Sequence, residues 1–302
     1  FTTVSTAVMP AATVTDAQGN TTVVRTSLVG KVVDPGADLE PMTFDDIRRG
    51  PDGVIHTADD VFLNPIAHAK VWVLGQEDRF VYTDAQGRFE LLDVPTGNVK
   101  LAVDGRTATN APSGVFWPEM VMDLTVEAGV VNTVMGTMGK EPSRRANADR
   151  PEVYLPRIAE AALQDVSATE PTTITVGTGS APQLTPEERA ALTLTVTPGS
   201  AIGLDGRPLD DVRVGISTVP SELVRDMLPP GVLEHQFDIT IQAPGVAVFT
   251  TPLRVTFPNV EGAAPGTKLN IMSFDHTTGR LVISGTATVS ADGKTVVSDE
   301  GS

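Results

Sequence analysis

The residues best placed to do chemistry lie in one acidic stretch, Asp45-Asp46-Ile47-Arg48-Arg49-Gly50-Pro51-Asp52-Gly53-Val54-Ile55-His56-Thr57-Ala58-Asp59-Asp60. A calcium ion takes about 6–8 oxygens, drawn from clustered carboxylates and from the carbonyls of a tight loop. With Gly53 at the sixth place of an EF-hand-like loop, Asp52 is fifth, Val54 offers the seventh-place carbonyl and Asp59 falls twelfth. Asp45 and Asp60 complete the candidate set for Ca2+. The pattern departs from a complete loop, because Arg48 and Gly50 stand at the first and third places and the terminal glutamate is missing. Asp45, Asp46, Asp34 or Asp38 supplies the missing oxygens only if the loop folds back. Two readings stand open: a calcium site, or a solvated acidic loop.

Other chemistries find less. The four histidines, His56, His68, His235 and His276, include no pair at the i, i+4 spacing of a helical zinc site. There is no cysteine, so thiol chemistry and disulfides are excluded. Ser273-Phe274-Asp275-His276 holds the residue types of a hydrolase triad, but neighbours on a strand point to opposite faces. No Gly-x-Ser-x-Gly elbow occurs. Trp117, in the segment Asn-Ala-Pro-Ser-Gly-Val-Phe-Trp-Pro-Glu-Met, is the candidate ligand-binding residue, since an exposed indole at a loop tip can stack on a sugar. The competing reading is a packed indole beside Pro118.

These residues must be carried by strands. Ala69–Leu74, Phe80–Tyr82 and Arg88–Leu92 are short Val/Phe/Leu-rich runs, parted by Gly75-Gln76-Glu77-Asp78 and by the turn Thr83-Asp84-Ala85-Gln86-Gly87. Gly87 supplies a positive φ and Asp84 bonds its own turn. Further strands are expected at 28–33, 98–103, 121–126 and 130–136, with residues 1–27 a Thr/Val-rich arm or hairpin. Residues 34–63 form an acidic insertion. Residues 140–171 read as a linker whose run Arg157–Gln164 favours helix. A second strand-rich unit covers 172–302, with short helices expected at Thr185-Pro186-Glu187-Glu188, where Thr185 caps and Glu188 closes the box, and at Ser221–Leu228.

Composition bounds the class. The chain has 302 residues, 40% hydrophobic and 5% aromatic, with Gly 27 and Pro 23. Short strands with frequent turns argue for sandwiches or barrels, all-β throughout. The net charge of −16, from 22 basic and 38 acidic side chains, repels a phosphate backbone, so no nucleic-acid partner is expected. No apolar run approaches the ~18 residues of a membrane span. The chain opens at Phe1 without a charged n-region and apolar core, and is expected to be a processed product or a piece of a longer protein.

Residues 28–139 resemble the prealbumin-like, carboxypeptidase-regulatory-like and SD-repeat B-type domains of bacterial surface proteins. Gly30-Lys31-Val32, Pro65–Val71, Thr83–Phe89 and Val94-Pro95-Thr96-Gly97 carry the resemblance. The Gly-Pro-Asp-Gly…Asp-Asp loop is similar to the calcium-binding insertions of such domains. The resemblance also raises an internal isopeptide bond between Lys31 and Asn132 with Glu90 as its acid, although Glu90 alternates with Phe89 and Leu91 and should face solvent. Residues 172–302 are similar to ZU5-like sandwiches of large secreted bacterial proteins, through Leu228-Pro229-Pro230-Gly231, Ile239–Gln242, Val255–Asn259, Ser273–His276 and Thr288–Gly293.

The expected protein is thus two tandem β-sandwiches, extracellular or on a bacterial cell surface. Its expected role is non-enzymatic: structural or adhesive, rigidified by calcium or assembled by β-strand addition through residues 1–27. Its partners would be other copies of itself or other domains of a parent protein. The alternative is a carbohydrate- or protein-binding accessory module of a larger secreted enzyme or toxin, with a polysaccharide as partner.

Overall fold

Nearly every short run of Val, Thr and Leu between turn residues is a strand. The computed structural model describes residues 12–15, 18–19, 21–54, 59–134, 152–203, 205–220, 224, 237–275 and 280–302. They divide into two units, bounded as Phe1–Gly36, Pro41–Ala111 and Trp117–Pro156 for the first and Ala37–Glu40, Pro112–Phe116 and Arg157–Ser302 for the second. The protein is all-β, with antiparallel sheets predominating. Among the described residues no helix is long and apolar enough to cross a membrane.

The strands of the first half are β1 (Ala12–Thr15), β2 (Thr21–Val24), β3 (Ser27–Val33), β4 (Ile47–Arg48), β5 (Val61–Phe62), β6 (Lys70–Val73), β7 (Phe80–Tyr82), β8 (Arg88–Leu92) and β9 (Gly97–Asp104). They are followed by β10 (Val115–Phe116), β11 (Glu119–Val126), β12 (Val131–Thr133) and β13 (Glu152–Tyr154). The arm expected over 1–27 contains the antiparallel β1–β2 hairpin. One sheet of the first unit has the order β11-β9-β6-β7, all antiparallel. In the other, β3 pairs antiparallel with β8 and parallel with both β12 and β13. Period-2 alternation sends Val71, Val73, Leu101, Val103, Met120 and Met122 inward from the first sheet. Leu28, Val32, Phe89, Leu91 and Val153 are among the buried side chains of the second. Gly30 has a structural reason: a Cβ there would lie 2.7 Å from the Phe89 ring.

Residues 152–165, expected in a linker, hold three short strands. Glu152–Tyr154 is β13, with all three side chains buried. Within the second unit, β14 (Ile158–Ala159) pairs with β10, a 3-10 turn spans Glu160–Ala162, and β15 (Gln164–Asp165) pairs with β19 (Arg213–Thr218). Arg157–Gln164 is therefore not a helix. Eight residues are too few to hold one unaided, and burial of Ile158, 1% exposed, favours the extended form.

The second unit continues with β16 (Thr172–Thr175), α1 (Pro186–Ala191), β17 (Thr193–Val196), β18 (Ala201–Gly203), β19, β20 (Ile239–Gln242), β21 (Val246–Phe249), β22 (Arg254–Pro258), β23 (Lys268–Asp275), β24 (Arg280–Val289) and β25 (Thr295–Ser298). Its main sheet runs β16-β17-β22-β25-β24-β23, beside smaller sheets β15-β19-β20 and β18-β21. Ile174, Leu194, Val196, Val214, Ile216 and Val255 build its core. α1 starts with the expected capping box, Thr185 accepting from the Glu188 amide while Glu188 accepts from Thr185. The helix expected at Ser221–Leu228 lies, but for Val224, outside the described residues.

Candidate functional site

The acidic insertion is a built loop. Asp46 is 1% exposed, and its carboxylate accepts the main-chain N–H groups of Met42 (3.0 Å) and Thr43 (2.7 Å) and the hydroxyl of Tyr154 on β13 (2.6 Å). Burial pushes the Asp46 carboxyl up to about 6, against the lowering pull of the Tyr154 hydroxyl and the two amides. Met42 takes a left-handed φ of 68° with its side chain buried. Such a backbone costs a non-glycine residue about 1–2 kcal/mol, so it persists only where neighbours over-determine it. The Asp46 carboxylate, bonded to that same Met42 N–H, is one of those constraints.

The sequence-derived calcium residues fall into two groups. Asp52, Asp59 and Asp60 converge on the 50–52 turn: Gly50 N–H donates to Asp60 and Asp52 N–H to Asp59, both at 3.0 Å. Asp52 in turn accepts from the amide of Val54, which is exposed. Asp45 stands apart, accepting the Thr43 hydroxyl at 2.6 Å and lying against Gly36. Asp34 and Asp38, the residues able to fill the missing places, each accept a hydrogen bond from a main-chain amide two residues on. Among the described residues no three His, Asp or Glu side chains are arranged to hold a metal ion. His56 lies outside the described residues, as do His235 and His276.

Trp117 is not a binding tip. It is 2% exposed, and its Cβ packs so close to Gly105 that a methyl group there would sit 2.5 Å away. Tight packing on that glycine overrides the loop position that suggested exposure. Nor do Lys31 and Asn132 meet. Asn132 stands opposite Leu28 in the parallel β12–β3 register, and its amide serves the Glu127 and Ser27 carbonyls. The Lys31 ammonium lies over the Phe62 ring, 5.0 Å from its centroid, and Glu90 is exposed.

The exposed aromatic surface is elsewhere, on the outer face of β6 and β7. Lys70 faces Tyr82 and Trp72 faces Phe80 across the strand pair, while Val71 and Val81 point to the other side. Tyr82 stacks on His68 with centroids 4.0 Å apart, and Phe80 meets Tyr82 edge-on at 5.5 Å. The Lys70 ammonium lies 4.3 Å from the Phe80 centroid and 5.0 Å from that of Trp72. The Trp72 indole N–H is buried without an acceptor among the described residues. His68 takes a φ of 63°, and its Nδ1 lies 3.2 Å from the Thr107 carbonyl. Sequence reasoning missed this surface, although the spacing Lys-x-Trp and Phe-x-Tyr on consecutive strands was its signal.

The second unit offers less room. A depression lined by Ser167, Thr197, Leu209 and Asp210 has a volume of about 20 Å³, enough for a water molecule. Elsewhere in the unit Asp299 accepts from Lys268 Nζ (2.8 Å), Thr286 (2.6 Å) and Thr288 (2.5 Å). Those bonds, the lysine's first, hold it well below the usual carboxylate range. They tie β23, β24 and the chain after β25 together.

The fold and these surfaces define the class as an all-β, sandwich-like protein. No known family, curated protein or solved structure matches this chain.

Proposed function

We propose that this chain is a non-enzymatic structural or adhesive segment of an exported bacterial surface protein, built from a prealbumin-like and a ZU5-like sandwich. The observation that carries the reading is where the carboxylates go. Asp46, Asp52, Asp59, Asp60, Asp84, Asp104 and Asp292 all accept main-chain N–H groups that fix a loop or turn. Polar chemistry spent on holding loops in shape suits a scaffold. The open outer edges of β7, β11 and β23 among the described residues suit assembly by strand addition to other copies or neighbouring domains.

Calcium belongs to the same proposal, at the loop where Asp52, Asp59 and Asp60 converge, with carboxylate oxygens exchanging N–H donors for the ion. Thermal unfolding in EDTA against millimolar Ca2+, on wild type and Asp52→Ala/Asp59→Ala, tests it. An ion bound only by the folded chain raises its stability, by about 2.7 kcal/mol at a hundredfold excess over Kd. The expected outcome is a calcium-dependent rise in midpoint that the double variant loses. Superimposable curves would reduce the insertion to an ion-free loop pinned by its own hydrogen bonds.

A further inference from the structure

We propose that the outer face of β6 and β7 binds an acidic polysaccharide, a uronate-bearing glycan whose pyranose rings pack on Tyr82 and Phe80 and whose carboxylate is met by Lys70. The inference extends the adhesive reading above by naming a ligand class. It shares no residue with the calcium loop, so either experiment can fail alone.

The rings are available and fixed. Tyr82 is 43% and Phe80 42% exposed, on a strand that ends its sheet. His68 covers one face of Tyr82 at an interplanar angle of 15°, and Lys70 lies over one face of Phe80. The exposure that remains is ring surface held by neighbours on the same sheet face. A surface ordered beforehand loses little conformational freedom on binding. The weakly positive C–H groups of a pyranose suit the negative face of an aromatic ring. Hydroxyls beside them meet the Tyr82 phenol and the imidazole nitrogen of His68 that is turned away from Thr107.

Charge selects the kind of glycan. In a chain with 38 acidic and 22 basic side chains, the Lys70 ammonium forms no ion pair among the described residues. Its neighbours are spoken for. Asp104, opposite Lys70 on β9, is bound by Arg106, which also binds Glu119. Glu77, which feels the ammonium at longer range, accepts the Gly75 amide. Aromatic contact brings Lys70 no countercharge, so the group complementary to this ammonium is one carboxylate beside an apolar ring surface. A uronate residue is that combination.

Affinity electrophoresis of the full chain through gels containing alginate or polygalacturonate, with dextran and methylcellulose as neutral counterparts, tests the proposal. Retardation is expected in at least one polyuronate gel and in neither neutral gel. Tyr82→Ala and Lys70→Met should each weaken it by about tenfold or more, as befits loss of one stacking or charged contact. Lys268→Met, on the second unit, should leave it unchanged. Unretarded migration in both polyuronates overturns the proposal, as does retardation that both variants preserve or equal retardation in the neutral gels. Should Lys70→Met fail to fold, the exposed Tyr82→Ala still decides, its thermal midpoint confirming an intact fold.

Discussion

Asp46 is the residue whose removal should be most informative. Its carboxyl is raised to about 6, above the ~3.9 of an unfolded chain, so the folded protein binds this proton more tightly. Its contribution to stability is therefore fully present below pH ~4 and is lost as pH rises through about 6. The stability at stake across that window is about 3 kcal/mol, as an order of magnitude. Asp46→Asn cannot titrate and sacrifices at least one accepted N–H, so it should be less stable at every pH. The deficit should nevertheless shrink between pH 4.5 and 7.5, measured as the difference in urea midpoints. Parallel curves for the two proteins would mean that Tyr154 and the two amides hold Asp46 ionised throughout. The pairing of Asp46 with Tyr154 had no signature in the sequence, because 108 positions separate them. The turn at Asp84 and Gly87 was legible because it is local. Asp84 accepts from the Gln86 and Arg88 amides, and Gly87 takes a φ of 75°.

At the scale of elements, the strands with alternating burial were read nearly to the residue, β8 above all, with its Phe89 and Leu91 inward and Arg88, Glu90 and Leu92 outward. Gly30 in β3 answers to the same packing. Gly30→Ala should cost about 1–3 kcal/mol through overpacking against the Phe89 ring. Gly30→Ala combined with Phe89→Leu should cost less than the sum of the two single changes, since the ring that clashes is gone. Urea titration of the four proteins measures the coupling, and strict additivity would place the cost in the backbone instead. β12 fell within the strand expected at 130–136, and the parallel strand β13 was the least legible element. Parallel pairing joins distant segments and leaves no turn between them to read. That is why 152–165 passed for linker. The same limit applied to Trp117, whose burial depends on Gly105 and on no pattern in its own segment.

For the whole molecule, the all-β class was readable from composition alone, since Gly and Pro punctuate Val- and Thr-rich runs throughout. The net charge of −16 adds a physical consequence. Most of the ion pairs among the described residues are at least partly exposed, such as Arg88–Asp84 and Lys268–Asp299, and each contributes little. Uncompensated repulsion among the acidic groups should outweigh them. Raising NaCl from about 20 to 300 mM, which shortens the screening length several-fold, is expected to raise the thermal midpoint. A fall would show that the attractive pairs dominate.

The parallel register of β3 with β12 and β13 has a mechanical meaning. β3 follows the β1–β2 hairpin at Ser27, and β13 is the last strand of the first unit, yet they lie side by side pointing the same way. A pull on the two chain ends of this unit would draw β3 and β13 in opposite senses along their common axis. The bonds between them, together with Leu155 to Val33, would then bear load in shear and share it, rather than unzip singly. Two strands locked in this way resist tension along the chain between them, whatever it is that pulls.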